Sequence, residues 1–432
     1  MIIHVVQTGE STNEIAKKYG ISEERLILDN EIQNPDNLAV GETLIILIPQ
    51  VTHIVQEGDT LNGIANLYEI TVLQLLRNNP YLSGREFIYE GEMLVISYKG
   101  EKAGKLSTYG YAYPYINTDV LKKTLPFLTY ITVYSYSFTD EGKINEIDDT
   151  NILQIAKAYQ VAPIMMLKAE EINQTGESNV IQKLLMSQES QDQFIYNVLN
   201  ILKTKGYYGV NLNISYILPQ NRKYYEDFII KFSNLIKKEG FTIVFNTLSL
   251  SSFELMTGIV YEGFDYSKLI YNLDGLFLMT YEWGNYIGIP TGIISFENIR
   301  KYVHEMERRL PGEMMFIGIP ILGYLWELPF ILGVSKGLAI TSNSAVELAK
   351  NVGTVIRFDD VSKTAYFQYI LDREYVVRFR DARSINEYLN LVIEFGLNGI
   401  SIWNIMQFYP QLWLVVNSHF ELNNLYEGND NP

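Results

Sequence analysis

Between Gly206 and Tyr216 the residues alternate apolar and polar with a period of two. A strand with that pattern carries Val210, Leu212 and Ile214 on one face and Asn211, Asn213 and Ser215 on the other. Two amides and a hydroxyl in line can hydrogen-bond a polar ligand such as a sugar. None of the three can donate a proton as a general acid at neutral pH. Such a face needs water or a ligand opposite it, and the pattern by itself reads equally as a half-exposed edge strand. Two other strand-like runs end on chemically capable groups: Gly275–Tyr281 is followed by Glu282, and Gly399–Trp403 closes on an indole.

The rest of the chain narrows the chemistry. It has 432 residues, a net charge of −16 and a pI near 4.8. No basic stripe is available for phosphates, which argues against a nucleic-acid partner. The 32 tyrosines suit a protein that handles neutral polymers by stacking on sugar rings. Cysteine is absent, which excludes disulfides, thiolate nucleophiles and Cys-ligated metals. The four histidines (His4, His53, His304 and His419) never fall at metal-ligand spacing, so neither a metal nor another cofactor is expected. No apolar run reaches the ~18 residues of a membrane span. Met1–Val6 lacks the basic and long apolar regions of a signal peptide, so the chain is expected to be made and kept soluble, or exported by a route that leaves no such mark.

Residues 4–47 and 53–96 are one unit written twice. His4-Val5-Val6-Gln7-Thr8-Gly9-Glu10-Ser11 returns as His53-Ile54-Val55-Gln56-Glu57-Gly58-Asp59-Thr60. Ile15-Ala16-Lys17-Lys18-Tyr19 returns as Ile64-Ala65-Asn66-Leu67-Tyr68, Asn30 as Asn79, and Gly41-Glu42-Thr43-Leu44 as Gly91-Glu92-Met93-Leu94. Each copy reads strand, helix, helix, strand, with Ser11 and Thr60 placed to cap the first helix. Both copies resemble the LysM module over their full length. That resemblance implies a βααβ fold binding N-acetylglucosamine-containing polymers such as peptidoglycan or chitin. It places the sugar groove at Gly9, Glu10, Ser11, Thr12 and Asn30 in the first copy, and at Gly58, Asp59, Thr60, Leu61 and Asn79 in the second. A spacer or dimerising role is the plainer alternative.

Beyond a linker at 99–106, strands and helices alternate. Strand-like runs are Ser107–Ala112, Tyr130–Phe138, Pro163–Lys168, Val210–Tyr216, Thr242–Leu248, Gly275–Tyr281, Met315–Ile321 and Gly399–Trp403. Helical patterns such as Gln188–Lys203, Lys223–Lys238 and Ser295–Arg309 lie between them. Eight such alternations predict an α/β (β/α)8 TIM barrel over 107–425, with an inserted α+β subdomain at about 325–384 and a tail at 426–432. The two small βααβ units precede it at 1–49 and 50–98. Reacting groups in such barrels sit at the C-terminal strand ends, which brings Ser215, Tyr281, Glu282 and Trp403 to one mouth.

The barrel region resembles glycoside hydrolase family 18, in particular the LysM-bearing spore cortex-lytic and coat type. The motifs are Gly206-Tyr207-Tyr208-Gly209-Val210-Asn211, Met279-Thr280-Tyr281-Glu282-Trp283-Gly284, Gly318–Tyr324, Asp381-Ala382-Arg383-Ser384 and Gly399–Asn404. The resemblance implies cleavage beside an N-acetylated sugar whose own acetamide attacks the anomeric carbon. In the family a Glu at the end of the fourth strand protonates the leaving oxygen, and an Asp two residues earlier supports the acetamide. Aligned on Gly209-Val210-Asn211, the Asp position holds Asn213, the Glu position holds Ser215, and Tyr208 holds the first acidic position. Tyr281 matches the residue that contacts the acetamide and Trp403 the floor of the sugar pocket; Asn211, Met279 and Glu282 complete the substrate-binding set. Arg378 and Arg380 read as a solvated pair or an altered cleft rim.

The resemblance therefore implies a peptidoglycan-binding spore or cell-wall protein with a degenerate, catalytically inactive barrel, in the spore coat, cortex or cell wall. One alternative is an active N-acetylglucosaminidase using a non-standard acid, with Glu282 as the nearest candidate. Another is a spore-coat scaffold whose partners are coat proteins.

Overall fold

The computed structural model describes residues 1–85, 87–169, 179–213, 221–247, 266–280, 296–331 and 334–426. In the first front module, Ile2–Val5 pairs antiparallel with Thr43–Ile46, and helices Thr12–Tyr19 and Glu23–Asn30 pack over one face. In the second, Pro49–Ile54 pairs with Met93–Tyr98 around helices Leu61–Leu67 and Val72–Asn78. Ser11 and Thr60 are the N-caps, and Ser11 forms a reciprocal capping box with Glu14.

Eight parallel strands close into a barrel: Gly104–Ala112, Tyr130–Phe138, Ala162–Ala169, Gly209–Asn213, Thr242–Asn246, Gly275–Leu278, Met315–Pro320 and Gly399–Trp403. Closure comes from the first strand, which pairs with both the second and the eighth. Alternation sends one set of side chains outward to the helices and the other into the barrel. The inner floor is apolar, built on Tyr109, Ile164, Val244, Phe277 and Phe316. Tyr109 stacks on Tyr130 with ring centroids 4.1 Å apart. The first strand starts at Gly104, inside the expected linker, because Gly104–Leu106 pairs with Phe420–Leu422 from the far end of the chain. The expected strand Val210–Tyr216 is a strand over Gly209–Asn213; its last three residues lie outside the described ones.

The insertion is a five-stranded antiparallel sheet with helix Ser342–Val352 packed on it. Its strands run from Leu322 to Phe379, so it opens directly after the seventh barrel strand. Ala382–Ser384 already belong to the barrel helix Ala382–Glu394, because the Asp381 carboxylate caps it by accepting from the backbone N–H groups of Arg383 and Ser384. Arg378 lies in this sheet paired with Asp359 at 2.9 Å, and the Arg380 guanidinium sits 5.8 Å from the Tyr388 ring centroid. Arg378 is thus ion-paired within the sheet and not a free solvated cation.

The modules are seated on the barrel. Gln411 donates to the Thr43 carbonyl (2.6 Å) and accepts from its hydroxyl (2.7 Å), and Ile356 N–H donates to the Val40 carbonyl (2.9 Å). A Cβ on Gly41 would lie 1.9 Å from the Ile356 carbonyl oxygen, so only glycine permits this approach. Among the described residues, no helix is long and apolar enough to cross a membrane.

Candidate functional site

The motif leading into the fourth barrel strand has a mechanical basis. Gly206 closes the preceding helix in the left-handed region at φ 67°. The Tyr207 hydroxyl donates to the buried carboxylate of Asp149, which also accepts from Tyr136 and is paired with Lys205 at 3.0 Å. A Cβ on Gly209 would lie 2.3 Å from the Thr242 carbonyl oxygen. Tyr208 packs against the barrel floor beside Tyr130. These contacts fix the strand's height and rotation, and so point Asn211 and Asn213 into the barrel.

The two asparagines sit at different depths. Asn211 is sealed from solvent; its Nδ2 donates to the Tyr111 hydroxyl at 3.2 Å and its Oδ1 has no partner. It shares a polar middle layer with Thr132 and Asn246, each also with an unpartnered buried oxygen. Expected among the sugar-contacting groups, Asn211 is instead a layer too deep. Two residues along a strand is roughly 6.6 Å, enough to move a side chain from the mouth into the interior. Asn213 is half-buried at the strand end, level with Lys168 of the third strand. Ser215, Tyr281 and Glu282 lie outside the described residues.

Trp403 ends the eighth strand half-exposed, and three tyrosines hold its indole. Ring centroids lie 4.8 Å away for Tyr134, 5.5 Å for Tyr111 and 6.3 Å for Tyr113. An indole braced on several sides is a rigid platform for a sugar face. Met279 is half-buried at the end of the sixth strand, its N–H held by Thr247 Oγ1 at 3.1 Å. On the insertion side the mouth continues into a cavity of about 270 Å³ lined by Tyr113, Tyr115, Ser342, Asn343, Asn404 and Phe408, among others. Tyr113 and Tyr115 stack there at 5.3 Å.

The modules use their repeated polar residues internally. His4 Nε2 meets Glu10 at 2.8 Å and its Nδ1 meets Tyr19 Oη at 3.0 Å; His53 repeats this with Asp59 (2.8 Å) and Tyr68 (3.1 Å). A carboxylate only accepts, so in the neutral ring Nε2 carries the proton and Nδ1 accepts from the tyrosine. Glu10 and Asp59 each also take a backbone N–H, from Gln7 and Gln56. The Gln7 N–H is the main reason Glu10 stays ionised below its usual range, and the His53 bond is the main reason for Asp59. Asn30 and Asn79 point inward as clamps. Asn79 donates to the Leu75 and Val95 carbonyls and accepts from Val95 N–H, at 2.8–2.9 Å, and is fully buried. Asn30 does the same with Leu26 and Ile45. Neither keeps a hydrogen-bonding atom for a sugar, so the groove expectation does not hold for them. Gly9, Ser11, Gly58, Thr60 and Leu61 remain exposed or half-exposed on the expected loops, while Thr12 is buried and donates to Glu23.

Sequence reasoning passed over Tyr111, Tyr113, Tyr134 and Lys168. The signal for Lys168 was present: it shares the inward parity of Ile164 and Met166, so a cation ends an otherwise apolar inward row. Among the described residues, no group of His, Asp and Glu could hold a metal ion.

Comparison with known proteins agrees with this architecture. The cortical fragment-lytic enzyme of Bacillus subtilis (strain 168) is 27% identical over 430 residues, covering 98% of this chain and 99% of that one. The crystal structure of the Bacillus cereus spore cortex-lytic enzyme SleL superposes with a TM-score of 0.79 at 26% identity, covering 98% of this chain and 99% of that chain. That of Bacillus megaterium QM B1551 SleL gives 0.80 at 24% identity, covering 98% of each chain. The LysM domain model matches residues 4–47 and 53–97, and that of glycosyl hydrolases family 18 matches 107–407. With its braced indole, its eight-stranded barrel and two LysM domains in front, this chain belongs to glycosyl hydrolases family 18.

Proposed function

We propose that this protein binds peptidoglycan, through its LysM domains and its barrel mouth, without cleaving it. The observation that carries the reading is Asn213. It ends the fourth barrel strand, inward-facing and half-buried, where the family pattern has the Asp that supports the acetamide. An amide can hydrogen-bond the acetamide but brings no negative charge to the cation that forms. Ser215, at the position of the acid, has a hydroxyl too weakly acidic to protonate a leaving oxygen. General acid catalysis contributes about 10²–10⁴-fold, and electrostatic stabilisation is often the larger contribution. The Trp403 platform is retained, and stacking with a few polar contacts supports binding on its own. Its relatives are named for lysis of cortical fragments. The present reading keeps their target and spore location and drops the cleavage; spore-coat proteins are further partners.

The test is release of reducing ends from purified spore cortex peptidoglycan. Wild type should show background only, and Asn213→Asp/Ser215→Glu should gain at least about 10²-fold. Turnover by wild type that Glu282→Gln abolishes and Ser215→Ala leaves intact would overturn the reading in favour of an enzyme with a relocated acid.

A further inference from the structure

A positive charge stands beside Asn213 at the barrel mouth. Lys168 faces inward at the end of the third strand, directly in register with Asn213 of the fourth. It is half-buried, and its ammonium donates to the Tyr134 hydroxyl at 3.4 Å. Among the described residues no carboxylate pairs with it. Tyr134 links it to the platform, since the ring whose hydroxyl accepts the Lys168 hydrogen bond packs edge-on against the Trp403 indole at 4.8 Å. A sugar lying on Trp403 would thus have an ammonium within reach of one of its substituents.

Resting on the reading of the barrel as a glycan-binding site, we propose that Lys168 makes the Trp403 subsite selective for an acidic N-acetylated sugar. The ligand class is a hexosamine bearing an ether-linked carboxylate, of the muramic acid kind. Three features support this class. A lysine is a compact point charge that pairs with a carboxylate when desolvated by neighbouring rings. Among the described residues its one hydrogen-bond partner, Tyr134, is neutral and does not offset the charge. Asn213, one strand over, adds a neutral amide that does not compete for the cation as an aspartate would. Losing the aspartate and holding a lysine beside it act in the same direction: both turn the mouth from stabilising a developing cation to holding an anion.

The experiment is calorimetric titration of the full chain with two matched disaccharides. One is N-acetylglucosaminyl-N-acetylmuramic acid with a free lactyl carboxylate; the other is the same sugar with that carboxylate converted to its methylamide. Wild type should prefer the acid by about tenfold, and less at 0.5 M salt. Lys168→Met should abolish the preference while leaving methylamide binding unchanged, and Lys168→Arg should keep it. Trp403→Ala should remove the barrel's share of binding to both ligands. If wild type binds both equally and Trp403→Ala weakens both, the selectivity proposal fails while glycan binding by the barrel stands. If Trp403→Ala changes neither, both proposals fail, since the binding then belongs to the LysM domains. Circular dichroism of each variant confirms that it is folded, and the wild-type salt dependence tests the proposal without any substitution.

Discussion

The LysM domains and the barrel mouth employ their polar residues in opposite ways. In the modules nearly every repeated polar group is consumed internally: His4 and His53 are bonded at both ring nitrogens, and Asn79 spends its amide on Leu75, Val95 and Arg25. In the barrel, from its middle layer up to the mouth, the polar groups are under-used. Asn211, Asn246 and Thr132 keep unpartnered oxygens, and Lys168 has a single long hydrogen bond. A repeated residue in this chain thus marks a demand of the fold. An unrepeated polar residue at a strand end, such as Lys168 or Asn213, is where the proposed ligand contacts lie. The two regions should answer to mutation differently: the modules by losing stability, the mouth by losing ligand.

The largest loss is expected at Arg25, where the two LysM domains meet. Its guanidinium is buried, paired with Asp29 at 2.5 Å, and donates to the Asn78 carbonyl (2.6 Å) and Asn79 Oδ1 (3.2 Å). Burial pushes the Asp29 carboxyl up, and Arg25 opposes that push. Arg25→Met leaves the acid buried without a cation, which should cost about 3–5 kcal/mol in denaturant unfolding. Replacing both partners with apolar residues should recover most of it. Asn79→Ala comes next, since it orphans Val95 N–H and two carbonyls in a dry core, at about 2–3 kcal/mol. Asn30→Ala removes the matching three bonds, without the further one that Arg25 gives Asn79, from a half-exposed site and should cost about 1–2 kcal/mol. Equal losses at the two asparagines would break the argument that burial sets the difference.

These contrasts bear on what was legible beforehand. The repeat and the barrel could be read because periods of two and 3.6 and a 49-residue recurrence are properties of the chain alone. The Asn30/Asn79 pair stood out by spacing, yet its task did not, because the groups it clamps are defined only once the closing strand folds back. Alternation told which face Asn211 is on but not how deep it sits, which depends on the barrel's height at that strand. Gly104 joins the first strand through Phe420, a partner more than three hundred residues away that no local pattern announces. Lys168 could have been found, as an inward charge ending an apolar row.

A third polar group lies at the seam between the two regions. Glu42 of the first module is buried against the insertion, with the Lys350 ammonium 4.0 Å away. Burial outweighs that cation and lifts the Glu42 carboxyl from 4.5 to about 7. The folded protein therefore holds this proton more tightly than the unfolded chain does. Stability from this site is greatest below about pH 4.5, falls as pH rises toward 7, and is flat above. Glu42→Gln should then stabilise by about 1–3 kcal/mol at pH 8 and change little at pH 4.5. Urea titrations of both proteins at the two pH values measure this. A destabilised variant at pH 8 would mean that the Lys350 pair outweighs the burial.

The smallest effect on stability should come from the group with the largest proposed effect on binding. Lys168 is half-exposed, makes one hydrogen bond at 3.4 Å, and has no carboxylate partner among the described residues. A surface-like substitution without a buried partner changes stability by no more than about 0.5 kcal/mol. Lys168→Met should therefore unfold at the wild-type denaturant midpoint. An unchanged midpoint would fit the proposal that the charge serves a ligand and not the fold. A loss at Lys168 comparable to that at Asn79 would instead place the lysine among the fold's own supports and remove the distinction between the two regions.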